Sequence, residues 1–383
     1  MRWPDAGPTA RALGVWILLA AVLFWVCGCT SASRQEQPRL VLEVEWEVMA
    51  LDPVGRSAPD HVLLTVWERT PRPAESSVHV LDVDLATGHS RETAVSAKAW
   101  AARGPLDYGP GAIAVAPNGR LAVAEHRVRG SSRESRIWVV EVGGAARPVT
   151  PWDGRSRLGL QWGPDSASLC YFAFTVGEKG IVGGTTLTVA TLAAGAQAAT
   201  EREVRKGCSL LDFVRWSSRG ECLYHARHVS ETASQLVSVA WPSGEEQVLH
   251  AGGWISHMSV AETSDDLVWV DVSPRTGRKP TSVVWLRRAG RSPEPTGIRF
   301  ESIPRELVVS PDGAALAVVP EERGLEGYDL RSGERQIVSA FAKDTPWGIR
   351  WVMDGKAIAF VTEGRKLWVV PRACLQAAGD APL

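Results

Sequence analysis

The stretch LVVSPDGAALAVV, residues 307–319, places a tight turn between two apolar runs. Pro311 presets the φ angle at the start of the turn, Asp312 can close the turn through its carboxylate, and Gly313 accepts the positive φ that reverses the chain. The apolar residues on both sides therefore predict two β-strands joined by this turn.

Variants of this turn recur along the chain, at residues 117–119, 164–166, 218–220, 264–266 and 353–355. The strand after each turn carries an apolar landmark residue, and with a degenerate first copy the landmarks are Leu64, Leu121, Leu169, Leu223, Leu267, Leu316 and Ile358. A period of roughly fifty residues with three or four short strands is typical of a propeller blade of four antiparallel strands. We therefore predict an all-β protein, a β-propeller of seven blades.

The two ends of the repeat region predict how the ring closes. The last copy ends at Cys374 without room for a fourth strand, whereas residues 39–46 form a strand-like segment ahead of the first copy. We expect the N-terminal strand to complete the last blade, since this closure removes exposed sheet edges. The alternative is a ring of six blades, with residues 40–93 outside it as a cap or a small separate domain.

The Trp-x-Pro-Asp-Gly-x-x-Leu type of turn, followed by a strand such as Ile137-Trp138-Val139-Val140, resembles the TolB-type, WD-repeat-like propeller repeat. The resemblance covers most of residues 40–375 and is best in the copies at Pro311 and Pro164. It implies an exported propeller that binds other proteins or envelope components, and it implies no chemistry.

The first residues have the layout of an export signal, with Arg2 and Arg11 ahead of the apolar run 15–26. This run is short for a bilayer span, which needs roughly 20 residues. The sequence Val26-Cys27-Gly28-Cys29 resembles the bacterial lipobox, which implies that Cys29 takes a diacylglyceryl group and anchors the protein to a membrane. Cleavage after Ala32 by the ordinary signal peptidase and an uncleaved anchor are the alternatives.

These features predict four segments and an address at the bacterial cell envelope. The segments are a lipoprotein signal peptide at 1–28, a flexible tether at 29–38, the β-propeller at 39–375 and a disordered tail at 376–383. Four cysteines remain in the exported part, Cys170, Cys208, Cys222 and Cys374, and none of them has the spacing of a metal site. Whether any of them form disulfides stays open.

The overall charge argues against a nucleic-acid partner. The 383 residues include 42 Lys and Arg against 43 Asp and Glu, a formal net charge of -1, whereas a protein that coats nucleic acid needs a basic excess to displace counterions. The 17 Trp residues fit repeated packing positions. Among them, Trp162, Trp216 and Trp351 share one place in their copies and are expected to pack between blades.

The sequence contains no pattern of reactive residues that predicts a catalytic group, a cofactor site or a metal site. The chain has no Gly-x-Ser-x-Gly pentapeptide, and the spacing of His225 and His228 is expected to send the two rings to opposite faces of a strand. The position before the repeated Trp is occupied by Gln161, Arg215 and Arg350 in three copies. A hydrolase or lyase with its site in the central channel is the alternative, and a sensor that binds a small anion through the two arginines is a third hypothesis.

The loops on one face of the propeller are predicted to be basic. In an antiparallel blade, the loops between the second and third strands emerge on the same face as the connections between blades. These loops carry more Lys and Arg than acids, and we expect them to meet an anionic partner, unless they are simply solvated. The prominent residues are Arg127, Arg129, Arg133, Arg136, Arg275, Arg278 and Lys279.

Together these features predict a lipid-anchored propeller that acts as a binding or assembly module, without catalysis. Its partners are expected to be the membrane, through the anchor, and an envelope protein or anionic envelope component.

Overall fold

A computed structural model describes residues 37–53, 58, 60–68, 77–93, 113–129, 132–141, 145–176, 182–193, 198–209, 212–273, 280–322 and 324–375. The predicted signal peptide, all of the tether but its last two residues, and the predicted tail lie outside this part. Within it, no helix has the length and apolar character needed to cross a membrane.

The described residues form seven sheets of four antiparallel strands. The strand β1 (Arg39–Glu43) precedes the first blade, which contains β2 (Glu47–Pro53), β3 (His61–Glu68), β4 (Ser77–Asp84) and β5 (Ser90–Glu92). The second blade contains β6 (Ile113–Val115), β7 (Leu121–Arg129), β8 (Ser132–Val140) and β9 (Ala146–Pro148). The third contains β10 (Arg155–Trp162), β11 (Ser168–Val176), β12 (Val182–Thr191) and β13 (Thr200–Lys206).

The later blades repeat this order. The fourth contains β14 (Phe213–Trp216), β15 (Cys222–Ser230), β16 (Ala233–Ala240) and β17 (Glu246–Gly252). The fifth contains β18 (Trp254–Val260), β19 (Leu267–Ser273), β20 (Thr281–Arg287) and β21 (Glu294–Phe300). The sixth contains β22 (Glu306–Val309), β23 (Ala315–Val319), β24 (Glu326–Asp329) and β25 (Arg335–Ile337). The seventh contains β26 (Trp347–Val352), β27 (Ala357–Thr362) and β28 (Lys366–Pro371), and 3-10 turns cover Ser339–Phe341, Met353–Gly355 and Arg372–Leu375.

The predicted seven blades are confirmed, and the six-bladed alternative is wrong. The degenerate first copy is a full blade, and its innermost strand β2 contacts both β26 and β6, so it takes its place within the ring. Burial explains this: Val62, Leu64 and Val66 of β3 are completely buried, as a blade packed on both faces requires.

Closure by the N-terminal strand is also confirmed. β1 is the outermost strand of the last blade, in the order β1-β28-β27-β26. In this antiparallel pair Arg39 lies opposite Val369, and Glu43 lies opposite Lys366. The guanidinium of Arg39 also donates to the carbonyl oxygen of Ala86 in the first blade, at 2.7 Å. The ring is therefore joined by the two ends of the propeller sequence.

The turn at Pro311 has the chemistry that its sequence predicts. Gly313 has a φ of +69°, in the left-handed region, and its amide donates to the carbonyl oxygen of Ser310 at 2.9 Å. The carboxylate of Asp312 accepts the amide of Ala314 at 3.1 Å. The turn thus sets Val309 opposite Leu316 in the strand register.

The hydrophobic core lies between the blades as much as within them. One buried cluster joins Ala114 and Ile137 of the second blade to Trp162, Leu169 and Tyr171 of the third. Such packing leaves little freedom for one blade to move against the next. It fixes the innermost strands as a rigid wall.

Candidate functional site

The innermost strands of the blades line the central channel. They are β2, β6, β10, β14, β18, β22 and β26, and each contacts the next in a closed ring. The strand register aligns Trp162, Trp216 and Trp351, since each lies opposite the landmark residue of its blade. The residue before each Trp is therefore at an equivalent place in the channel wall.

The three tryptophans join neighbouring blades, as expected. The indole N–H of Trp162 donates to the carbonyl oxygen of Ala114 in the preceding blade at 3.1 Å. Trp216 donates in the same way to Gln161 at 3.3 Å. Trp351 donates to Val308 at 3.2 Å. Each ring is nearly buried, so these residues stabilise the ring of blades rather than offer a stacking surface to a ligand.

Arg215 on β14 and Arg350 on β26 place two positive charges on the channel wall. Both side chains are half-buried, and each donates from Nη1 to the carbonyl oxygen of the preceding residue at 2.8 Å. Within the described part of the chain, neither guanidinium has a carboxylate at ion-pair distance. A guanidinium has five N–H donors, so most of their donor capacity is unused.

The two arginines influence each other electrostatically although they belong to the fourth and seventh blades. Burial lowers the pKa of Arg215, and the positive charge of Arg350 lowers it further. Like charges that share a poorly solvated space repel each other, and a bound anion would relieve this repulsion. The pair therefore has the electrostatics of an anion site.

His257 on β18 adds an imidazole to the same surroundings. Its Nε2 donates to the carbonyl oxygen of Arg305 at 2.9 Å, and its Nδ1 lies 3.1 Å from the hydroxyl of Ser256. Burial lowers the pKa of His257, the hydrogen bond to Arg305 opposes this, and the charge of Arg215 lowers it further. Both of its nitrogens are occupied.

Gln161 on β10 completes the polar positions before the tryptophans. Its Oε1 atom is buried and has no hydrogen-bond partner among the described residues. A buried acceptor without a donor costs free energy. A donor group placed at this oxygen would remove the cost.

Glu306 on β22 is a carboxylate on the channel wall, and its oxygens already have partners. They accept the amides of Gly348 and Ile349, at 2.7 and 2.9 Å, and so join the sixth blade to the seventh. Both carboxylate oxygens are thus occupied by backbone donors. Its role is to connect blades.

The structure corrects the predicted basic loop in the second blade. Residues 127–136 were expected to form a loop, but β7 continues to Arg129 and β8 begins at Ser132. The physical reason is the strand register, which sets opposite charges across from each other and so extends the strands.

Two of the predicted loop arginines are therefore engaged inside the hairpin. Arg127 lies opposite Glu134, with an Nε to oxygen distance of 2.8 Å, and Arg136 lies opposite Glu125 at 2.7 Å. Both guanidinium groups also lie over the ring of Trp152, at 4.0 and 4.8 Å from its centroid. Neither arginine supplies a free charge for a partner.

A further base that contacts this hairpin is buried completely. Arg157 has no solvent exposure and donates from Nη2 to a carboxylate oxygen of Asp153 at 2.9 Å. Of the other candidates, Arg133 is exposed, whereas the side chain of Arg129 lies outside the described residues. Three more predicted loop bases and the predicted lipidation site also lie outside the described residues, namely Arg275, Arg278, Lys279 and Cys29.

His225 and His228 do not point to opposite sides of their strand, contrary to the sequence prediction. Both rings meet the buried carboxylate of Asp212, at 2.9 Å from His225 Nε2 and 3.1 Å from His228 Nδ1. Asp212 directly precedes Phe213, which lies opposite Ala226 in the pairing of β14 with β15, and this places its carboxylate within reach of both rings. Cys208 lies close by, and no disulfide joins any two of the four cysteines.

Sequence reasoning missed Asp212, Cys208, His257 and Glu306. Asp212 directly precedes the innermost strand of its blade, and an alignment of the repeat copies could have marked this position. Cys208 lies only four residues before Asp212, but His225, which meets both, comes from a different strand. His257 and Glu306 lie far from these residues along the chain and form no motif with them.

No family model matches the sequence. A search of curated proteins finds no match either. Solved structures share the fold at low identity. Oligogalacturonate lyase in complex with manganese has a TM-score of 0.58 at 12% identity, over 84% of this chain and 88% of that one.

Two further structures are similar in fold. The β-propeller domain of the Trilobed protease from Pyrococcus furiosus, described as having an open velcro topology, has a TM-score of 0.55 at 12% identity over 85% of this chain and 95% of that one. TolB from Acinetobacter baumannii has a TM-score of 0.42 at 14% identity, over 82% and 80%. At these identities the likeness concerns the propeller scaffold alone.

Proposed function

We propose that this chain is an exported, lipid-anchored propeller that binds an anionic component at the bacterial cell envelope and performs no chemistry itself. The observation that carries the binding role is the pair of channel arginines, Arg215 and Arg350, which lack a carboxylate partner among the described residues. Charge-assisted hydrogen bonds from arginine are well suited to carboxylates and phosphates.

The channel is a better candidate than the basic loop face for this role. On the loop face, Arg127 and Arg136 already bind glutamates within their own hairpin. In the channel, the guanidinium groups of Arg215 and Arg350 bond only to their own strands. The face around Arg133 remains a second surface for the same anionic partner, with weaker support.

A binding role also fits the state of the other channel groups. A hydrolase or lyase in the channel would need a group that can accept and return a proton. Glu306 is held by two backbone amides, and both nitrogens of His257 are engaged. The described channel residues therefore favour recognition over proton transfer.

Titration with citrate, which combines carboxylates with a hydroxyl, tests the binding role, with inorganic phosphate as a second anion and maltose as an uncharged control. Calorimetry would compare the wild type with Arg215→Gln/Arg350→Gln and with Arg133→Gln. We expect the double variant to lose at least tenfold in affinity for the anions and Arg133→Gln to lose little. Equal affinity in the double variant and the wild type would overturn the channel as the site.

Intact mass and membrane partition test the anchor, with the wild type beside Cys29→Ala, both expressed in a bacterium. A mature chain that starts at residue 29 with added acyl mass, lost in the variant, is the expected result. A soluble product without modification would refute the anchor while leaving the binding measurement intact.

A further inference from the structure

Asp212 is the centre of a buried cluster at the junction of the third and fourth blades. Its carboxylate is 6% exposed and accepts the amides of Ser209 and His228 at 3.0 and 2.9 Å. The rings of His225 and His228 approach its two oxygens from β15. The carboxylate is thus held in one orientation from several sides.

Cys208 adds a sulfur to this cluster. Its Sγ, a carboxylate oxygen of Asp212 and a ring nitrogen of His225 all lie within 4.8 Å of one another. In the part of the chain that the structure describes, no other three His, Cys, Asp or Glu side chains converge in this way. Ligand atoms of a tetrahedral metal ion lie about 3.3 to 3.8 Å apart, since metal–ligand bonds are roughly 2.0 to 2.3 Å long, so the three side chains would draw closer together around an ion.

Two ring nitrogens in the cluster lack partners. His225 Nδ1 and His228 Nε2 are buried and make no hydrogen bond. The ring of His225 has no solvent exposure, so this cost is not relieved by water at the surface. The hydrogen bonds of the folded chain alone do not satisfy these imidazoles.

We propose that Cys208, Asp212 and His225 bind a zinc ion, with His228 as the positioning residue that holds the carboxylate of Asp212. A mixture of sulfur, nitrogen and oxygen ligands suits zinc, whereas calcium and magnesium prefer oxygen alone. The ion would join the segment after β13 to β15, and so fasten the third blade to the fourth.

The charges of the proposed site balance. A thiolate and a carboxylate together carry two negative charges, which cancel those of a zinc ion, so the loaded site is neutral and compatible with burial. Binding releases one proton, from the thiol of Cys208, because His225 binds as the neutral imidazole.

The junction of the fourth and fifth blades contains a matched pair without the thiol. His250 Nε2 lies 2.9 Å from a carboxylate oxygen of Asp271, whose other oxygen accepts the amide of Gly253 at 3.1 Å. The histidine–aspartate contact thus occurs at two junctions between blades, and what distinguishes the junction of the third and fourth blades is Cys208 and the second imidazole. The His250 pair supplies the control for the experiment.

The test uses the full chain, purified in detergent, kept reduced and stripped with a chelator. Zinc retained after gel filtration is measured by elemental analysis, and cobalt is added separately as a probe, since a thiolate ligand gives cobalt a near-ultraviolet charge-transfer absorption. The variants are Cys208→Ser and Asp212→Asn. The controls are Cys222→Ser, another half-buried cysteine, and His250→Gln.

We expect one zinc per chain and a cobalt–thiolate absorption in the wild type and in both controls. Cys208→Ser should abolish the absorption, and Asp212→Asn should weaken zinc binding at least tenfold, because even the loss of an outer partner costs roughly 10–100-fold. His228→Gln should weaken binding but keep the absorption, as a positioning role requires.

Absence of the cobalt–thiolate absorption in the wild type would overturn the proposal, and so would zinc retention that is unchanged in Cys208→Ser. If Asp212→Asn fails to fold by circular dichroism, Cys208→Ser decides alone. Its position is half-buried, and the change replaces one small side chain by another.

Discussion

The arginines of the second-blade hairpin and those of the channel show two uses of the same residue type. Arg127 and Arg136 lie across a strand pair from glutamates and over an indole ring. Arg215 and Arg350 lie on the channel wall without a carboxylate partner in the described chain. The difference teaches that the number of bases on a face does not measure its attraction for a partner, because part of that charge is already neutralised inside the fold.

Arg136→Gln should give the largest change in stability, and it tests whether the hairpin arginines differ from the channel arginines. Glu125 is 5% exposed and accepts Arg136 and the indole of Trp138, so removing the guanidinium leaves a buried carboxylate without its counter-charge. We expect a loss of about 3 kcal/mol in the free energy of unfolding, measured by urea denaturation. The double variant Glu125→Gln/Arg136→Gln should recover most of it, since neither charge remains. Unchanged stability in the single variant would show that this arginine is as unengaged as those in the channel.

Arg350→Gln should act in the opposite sense and with a smaller magnitude. The substitution removes a charge that repels Arg215, so the free energy of unfolding should stay within about 0.5 kcal/mol of the wild type or rise. Affinity for citrate should fall about tenfold, or about 1.4 kcal/mol. A large loss of stability without a change in affinity would assign Arg350 a structural role.

The contribution of His257 to the pH dependence of stability should be the smallest effect, and it tests the surroundings assigned to this ring in the channel. Its pKa is lowered below the ordinary value of 6.5, so below that pH the unfolded chain binds more protons than the folded one. Stability should therefore fall as the pH decreases from 6.5, and His257→Gln should remove part of this slope. The exposed His89 supplies the control, since His89→Gln should leave the slope unchanged.

The sequence predicts those parts of the fold that depend on neighbouring residues. The turn at residues 310–313 contains its own chemistry, and the apolar residues after it form the buried strand β23. Closure by β1 also follows, because the count of strands in the last copy leaves one place empty. These inferences need only local rules and a repeat.

Features that depend on strand register could not be predicted in the same way. The contact between Arg127 and Glu134 depends on the register of β7 against β8. The sequence does not indicate this pairing, because the charged residues of the two strands are typical of loops. The meeting of His225, His228 and Asp212 depends on the register of β14 against β15, which sets Phe213, next to Asp212, opposite Ala226. The candidate site was predicted only as far as Gln161, Arg215 and Arg350 before the tryptophans, because the repeat fixes that position. Its neighbour His257 lies at a different position of another blade, which the repeat does not mark.

The pairing of Arg39 with Val369 has a consequence for the order in which the protein assembles. Arg39 and Val369 are separated by almost the whole chain, and contacts between such distant residues form late and slowly. β1 is made first and must wait without its partner until β28 has been synthesised. Until then the last blade has an open edge, so a chain stopped before residue 366 would expose β27 and β1 to pairing with other molecules.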